Sequence, residues 1–265
     1  MHVESNKAKI AKRVVEVLDY FDDQHREATV MDIVRRYNRP QSSTSELLSS
    51  LVELGLLYKD PYSRSYSLTP RAAMIGAVAQ PDIVRSGGLT ALVDRLVAQT
   101  GLGVAIFGMV GLNVQIFSYK EGLKPIATSN PKGISCGLQE QLSASSAGWV
   151  LLSTVQQPRR DGMVRRLNAE ASDDKKFSHP EMVATLSTCM STRAAHGIAG
   201  FGSIADIACI LLPEQPAHQQ IAIGFVYEPS AQVDPQALID CLKDNVTRTM
   251  RKDEVAPVQV LSSAA

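Results

Sequence analysis

The run PQSSTSELLSSLVELG, residues 40–55, combines two chemistries at helical spacing. Leu47, Leu48, Leu51 and Leu54 recur at three- and four-residue steps, so a helix here buries a leucine stripe. The opposite face then carries Gln41, Ser42, Ser43, Ser45, Glu46, Ser49 and Ser50. Short hydroxyl and amide side chains bond to base edges and to phosphate oxygens, and they keep a helix slim enough to enter a major groove. Arg35, Arg36 and Arg39 precede this helix, and Lys59 and Arg64 follow it on a predicted hairpin. The candidate DNA-binding set is therefore Arg39, Gln41, Ser42, Ser43, Ser45, Glu46, Lys59 and Arg64. A serine-solvated surface helix is the plain alternative, but serine competes with the helical backbone, and that cost points to a function.

Other residue patterns carry less. Gly133-Ile134-Ser135-Cys136-Gly137 matches the G-x-S-x-G nucleophile elbow, with Asp206 and His218 in the usual chain order for a triad. An elbow needs a buried strand before its serine, whereas Ser129-Asn130-Pro131-Lys132 is turn sequence, so no catalytic residue is assigned. The five histidines show no metal spacing, and no cofactor is expected. Gly197-Ile198-Ala199-Gly200-Phe201-Gly202 departs from G-x-G-x-x-G and is expected to follow a helix, so it reads as a sharp turn.

Elements that must position the serine face are legible around it. Residues 7–23 predict an amphipathic helix through Ile10, Val14, Val17, Leu18 and Phe21. Thr29 and Asp32 form a capping-box pattern for a helix from Val30 that stops before Pro40. Pro40 suits the first turn of the third helix, and Gly55 its left-handed stop. Residues 56–59 and 65–68 read as strands about an Asp60–Arg64 turn. Three helices and a hairpin make a winged helix-turn-helix over residues 1–68. A linker helix (71–79) lies within residues 69–87. Residues 88–252 form a second domain with helices at 89–99, 144–155, 180–195 and 235–250, and strands at 104–110, 114–119, 204–212 and 220–228. Residues 156–166 are polar and charged, and 171–178 read as a solvated loop. Residues 253–265 read as a flexible tail. The fold class is α+β, a largely antiparallel sheet layer covered by helices.

Composition narrows the partners. The formal net charge is zero over 265 residues, so polyanion binding must come from local patches. Aromatics make up 5%, too few for a base-stacking single-strand binder. The four cysteines, Cys136, Cys189, Cys209 and Cys241, form neither a zinc knuckle nor a disulfide framework, which suits the cytoplasm. No apolar run reaches membrane-spanning length.

Pro40-Gln41-Ser42-Ser43 stands at a P-K-S-T motif, and Leu51–Gly55 at the leucine-rich L-G end, of the recognition helix in the IclR family of transcriptional regulators, which the chain resembles. The hairpin from Tyr58 to Leu68 is similar to that family's wing. Leu142–Gly148 (LSASSAG) resembles its L-H-A-S-x-S-G segment, and His196–Ala199 its R-x-G-Y-A turn. The resemblance implies a GAF-like effector domain, dimers or tetramers, a pseudo-palindromic duplex operator and control by a small acidic or aromatic metabolite of a catabolic pathway. It also implies effector contacts near Ser143, Ser145, Ser146, Asp206, Phe225 and Tyr227. Gln41 and Glu46 replace the family's lysine and common arginine, which removes positive charge from the reading helix. A winged helix that serves as a protein adaptor, and an esterase at Ser135, are the alternatives.

Overall fold

In a computed structural model, residues 6–22, 25–75, 87–130, 133–215 and 220–253 are described. The chain divides into two compact units, Met1–Gln80 and Pro81–Ala265.

The first unit contains α1 (Asn6–Leu18), α2 (Val30–Tyr37), α3 (Gln41–Glu53), β1 (Leu57–Lys59), β2 (Tyr66–Leu68) and α4 (Pro70–Met74). Thr29 caps α2 as its sequence predicts. The Asp32 amide donates to Thr29 Oγ1 at 3.3 Å, and the Thr29 amide donates to Asp32 Oδ2 at 2.8 Å. The chain leaves α2 through Asn38 in the left-handed region (φ 49°), a conformation asparagine tolerates, and Pro40 then occupies the N-cap of α3. Gly55 follows α3 at φ 71°. A core of Val17, Ala28, Ile33, Leu48, Leu51, Leu57 and Tyr66 joins the three helices to the hairpin. The leucine stripe is narrower than its spacing suggests. Leu54 is 58% exposed, because it caps the helix end, while Thr44 turns inward and bonds to the Pro40 carbonyl at 2.8 Å. Ala28 pairs with Tyr66 through two backbone hydrogen bonds and adds a third short strand position to the wing. Of the expected linker helix, α4 is described, and residues 76–86 lie outside the described residues.

The second unit contains α5 (Gly88–Thr100), β3 (Gly103–Val110), β4 (Asn113–Lys120), β5 (Gln139–Gln141), α6 (Ser146–Leu152), α7 (Arg159–Glu170), α8 (His179–Thr192), β6 (Ala194–Ile198), β7 (Asp206–Leu211), β8 (Ile221–Tyr227) and α9 (Pro235–Asp253). Its antiparallel six-stranded sheet has the order β5-β4-β3-β8-β7-β6. Alternation along the strands sends two apolar sets to opposite faces. Phe107, Ile116, Cys209 and Val226 pack with α6 and α8 on one face, and Ile106, Ile210, Ile223 and Phe225 pack with α5 and α9 on the other.

Three elements depart from the sequence expectation. The polar stretch after residue 156 continues into α7, which buries only Val164 and Leu167. The helix expected at 180–195 ends earlier, where Arg193 turns left-handed (φ 54°), and Ala194–Ile198 becomes the edge strand β6. The glycine-rich turn therefore follows a strand, not a helix, and joins two antiparallel strands. The tail, residues 254–265, lies outside the described residues.

Candidate nucleic-acid interface and effector site

The outer face of α3 exposes Gln41, Ser42 and Glu46, with Ser43 and Ser45 half-buried beside them. Two further serines are already engaged. Ser49 and Ser50 donate to the Ser45 and Glu46 carbonyls at 3.0 and 3.1 Å, so their hydroxyls back-bond to the helix instead of facing outward freely. Ser43 is held from two sides. Its hydroxyl donates to the Pro40 carbonyl at 3.3 Å and accepts from Arg13 Nη2 at 3.1 Å. Arg13 belongs to α1 and is absent from the sequence-derived set.

Arg39 occupies a different role from the one its position suggests. Its Nη2 donates to both carboxylate oxygens of Glu16 at 3.0 Å, and Glu16 is only 15% exposed. The guanidinium thereby ties α1 to the entrance of α3, and its charge is neutralised within the unit. An open groove runs beside this pair, with Lys9, Lys12 and Arg13 on one wall and Arg39, Pro40 and Ser43 on the other.

The wing presents Lys59 and Arg64 at the surface. Asp60 closes the turn by accepting from the Tyr62 and Ser63 amides at 2.7 and 2.9 Å, and those bonds hold its carboxyl below the usual range. Arg64 sits at φ 59°, in the left-handed region, with its amide on the Asp60 carbonyl at 3.0 Å. The Lys59 ammonium lies 5.5 Å from the centre of the Tyr66 ring.

In the second unit, the six residues implied as effector contacts fall on two sides of the sheet. Ser143 lies in the short turn before α6, and its carbonyl accepts from the Trp149 indole at 2.8 Å. Ser145 and Ser146, at the head of α6, are completely buried, and neither hydroxyl has a hydrogen-bond partner. A Cβ on Gly197 of β6 would sit 3.2 Å from Ser146 Oγ, which locates that hydroxyl against the edge strand. Phe225 and Tyr227 instead face α5 and α9, because alternation along β8 turns Gly224 and Val226 toward the α6 side. Both are core side chains. Burial, with Asp206 and Asp234 nearby, pushes the Tyr227 hydroxyl up to about 12. Asp206 starts β7 opposite Tyr227 and accompanies it on that face. The three serines and the Asp206–Phe225–Tyr227 group therefore do not form one site.

The remaining motifs lose their chemistry in three dimensions. A turn and then β5 follow Ser135, where a nucleophile elbow requires a helix, and His218 lies outside the described residues. Among the described residues, no group of three or more His, Cys, Asp or Glu is gathered as a metal site requires, and no helix is long and apolar enough to cross a membrane. Burial raises both the Cys189 and Cys209 thiols, so they are packing groups.

Residues 11–61 match the IclR helix-turn-helix domain. No curated protein sequence matches the chain significantly. Solved structures of similar fold include an IclR homologue from Microbacterium hydrocarbonoxydans complexed with 4-hydroxybenzoate, with a TM-score of 0.58, 15% identity and coverage of 93% of this chain and 100% of that one. An IclR transcriptional regulator from Alicyclobacillus acidocaldarius has a TM-score of 0.55 at 17% identity, covering 94% and 98%. The IclR of Thermotoga maritima has a TM-score of 0.54 at 13% identity, covering 92% and 97%. At these identities the likeness is one of fold, and it spans both units. Residues 11–61 thus carry the IclR helix-turn-helix domain, and the chain shares the fold of solved IclR-family regulators.

Proposed function

We propose that the chain binds a pseudo-palindromic duplex operator as a dimer or tetramer, and that a small carboxylic or aromatic acid sets that affinity. The observation that carries the DNA reading is the outer face of α3, polar and slim over Gln41–Glu46, above a leucine core that fixes it. Gln41, Ser42, Ser43, Ser45 and Glu46 read base edges, with Glu46 accepting from a cytosine amino group, and Lys59 and Arg64 of the wing meet phosphates. Arg39 is left out, because its charge is spent on Glu16. Symmetric copies place two such helices about one helical turn apart on the duplex.

The effector reading rests on Ser145 and Ser146. A buried hydroxyl without a partner costs about 1–3 kcal/mol, and a ligand that supplies the missing bonds recovers that cost. A carboxylate or phenol offers the acceptors and donors that two hydroxyls need. The 4-hydroxybenzoate held by the Microbacterium homologue has both groups. A ligand bound unequally by two arrangements of the assembly shifts the spacing of its reading helices.

The test is fluorescence anisotropy with a duplex taken from upstream of the chain's own gene, titrated with and without 4-hydroxybenzoate and short keto acids. Sequence-preferring binding that falls steeply with salt, and that an acid shifts in the parent protein but not in Ser146→Ala, supports both halves. Equal affinity for upstream and random duplex removes the operator reading. An acid response that survives in Ser146→Ala removes the proposed effector site.

A further inference from the structure

Helix α3 carries no cation on its outer face. Gln41, Ser42, Ser43 and Ser45 are neutral, and Glu46 is acidic. Duplex binding draws much of its free energy from phosphate neutralisation, so a reading helix of this kind needs positive charge from a neighbour. Helix α1 has that charge in the right place. Lys9, Lys12 and Arg13 follow one another at i, i+3 and i+4, which aligns them on a single helical face. That face forms the wall of the groove opposite Pro40 and Ser43, at the entrance of α3. Lys9 and Lys12 are exposed, and among the described residues no carboxylate pairs with either. Arg13 reaches across to the Ser43 hydroxyl, also without a carboxylate partner. Arg39, the cation nearest α3 in sequence, is consumed by Glu16, another residue of the same α1 helix. Helix α1 therefore neutralises one cation beside α3 and offers three others.

We infer that the Lys9–Lys12–Arg13 face of α1 is a phosphate-binding wall of the DNA site, gripping the backbone of the strand whose bases face α3. Lys9 and Lys12 each contact a phosphate. Arg13 is a positioning residue: its hydrogen bond, with the one from Ser43 to the Pro40 carbonyl, fixes the Ser43 hydroxyl so that its remaining lone pair can accept from a base edge. This deepens the operator reading and rests on it.

The test uses the whole 265-residue chain and two duplexes of about 30 base pairs, one of random sequence and one from the upstream region, with anisotropy measured from about 50 to about 200 mM salt. Each phosphate contact contributes a slope of about 0.9 in log K against log salt, so Lys9→Gln/Lys12→Gln flattens the slope by about 1.8. It weakens both duplexes alike, while leaving the urea unfolding transition in place. Arg13→Lys keeps the charge and the slope but lowers the preference for upstream over random duplex several-fold. An unchanged slope in the double variant, with Ser43→Ala still weakening upstream binding, overturns the α1 wall and leaves the operator reading standing. Unchanged preference in Arg13→Lys overturns the positioning role. Absence of duplex binding by the unmodified chain overturns both readings. Binding of polyglutamate as tight as that of random duplex reassigns the groove to an acidic protein partner.

Discussion

Arg39→Gln separates two accounts of the same residue. Sequence position makes Arg39 a phosphate ligand, since it directly precedes the reading helix. The structure makes it a strut between α1 and α3. Its Nη2 reaches both oxygens of Glu16 at 3.0 Å, and the two side chains are 37% and 15% exposed. Hydrogen bonds between charged groups are worth roughly 1.5–3 kcal/mol, and exposure of the arginine side discounts that toward the surface-pair range, to about 1–2 kcal/mol. Removing the guanidinium also leaves Glu16 largely covered and unpaired, which adds to the loss. The sole tryptophan, Trp149, lies in α6 of the second unit, so two signals can be separated. Urea unfolding of Arg39→Gln should shift the far-ultraviolet circular-dichroism transition of the first unit by about 1–2 kcal/mol and leave the Trp149 fluorescence transition unmoved. Glu16→Gln combined with Arg39→Gln should show a coupling of about 1 kcal/mol in a double-mutant cycle. The salt dependence of duplex binding should keep its slope. A slope flatter by about 0.9 with no loss of stability would refute the reasoning, because Arg39 would then be neutralising a phosphate and the Glu16 contact would be idle.

Leu48→Ala empties a fully buried position beneath the serine face and should cost the first unit about 2–5 kcal/mol, abolishing duplex binding while the Trp149 transition stays in place. Gly148→Ala should act on the other unit: its Cβ would lie 2.3 Å from the Leu142 carbonyl oxygen, so backbone must move, and a loss of about 1–3 kcal/mol or more should appear in Trp149 fluorescence with duplex affinity unchanged in the absence of effector. The Asp32 carboxyl is held below its ordinary 3.8, chiefly by hydrogen bonds from Thr29, so its contribution is complete above 3.8 and is lost as pH falls through the lower folded value. Amide exchange at the start of α2 should therefore accelerate on acidification below that point, and Asp32→Asn should remove the pH dependence of the acceleration.

The first unit was readable because its signals are local. A capping box needs only Thr29 and Asp32, a stop needs only a residue before Pro40, and a hairpin needs only turn chemistry between two short runs. The departures in that unit lie at the two ends of α3 itself. Nothing in the spacing of Leu54 tells that the helix end leaves it in solvent, and Thr44 is buried with its hydroxyl on the Pro40 carbonyl. In the second unit the same limit is sharper. Helix α7 buries two apolar residues three apart, too few for a stripe, and β6 has a single strand-favouring residue, Ile198, after two alanines, a histidine and a glycine. It is a strand because β7 supplies five paired positions beside it.

The two candidate sites divide along the same line. On α3 the proposed reading face is the complement of a buried leucine stripe, so burial periodicity picks it out. The partners of that face were not visible, since Arg13 lies thirty residues before Ser43 and meets it only through packing. A signal did exist: Lys9, Lys12 and Arg13 share the face of α1 that also carries Glu16, the carboxylate that pairs with Arg39. For the second unit, strand alternation correctly puts Phe225 and Tyr227 on one face, but period two cannot say which face meets which helix layer. That choice is made by the α6 head packing against β6, where Gly197 leaves room for Ser146, and by α9 covering the opposite side. A residue's face is written in its neighbours along the chain; what that face meets is written in the topology.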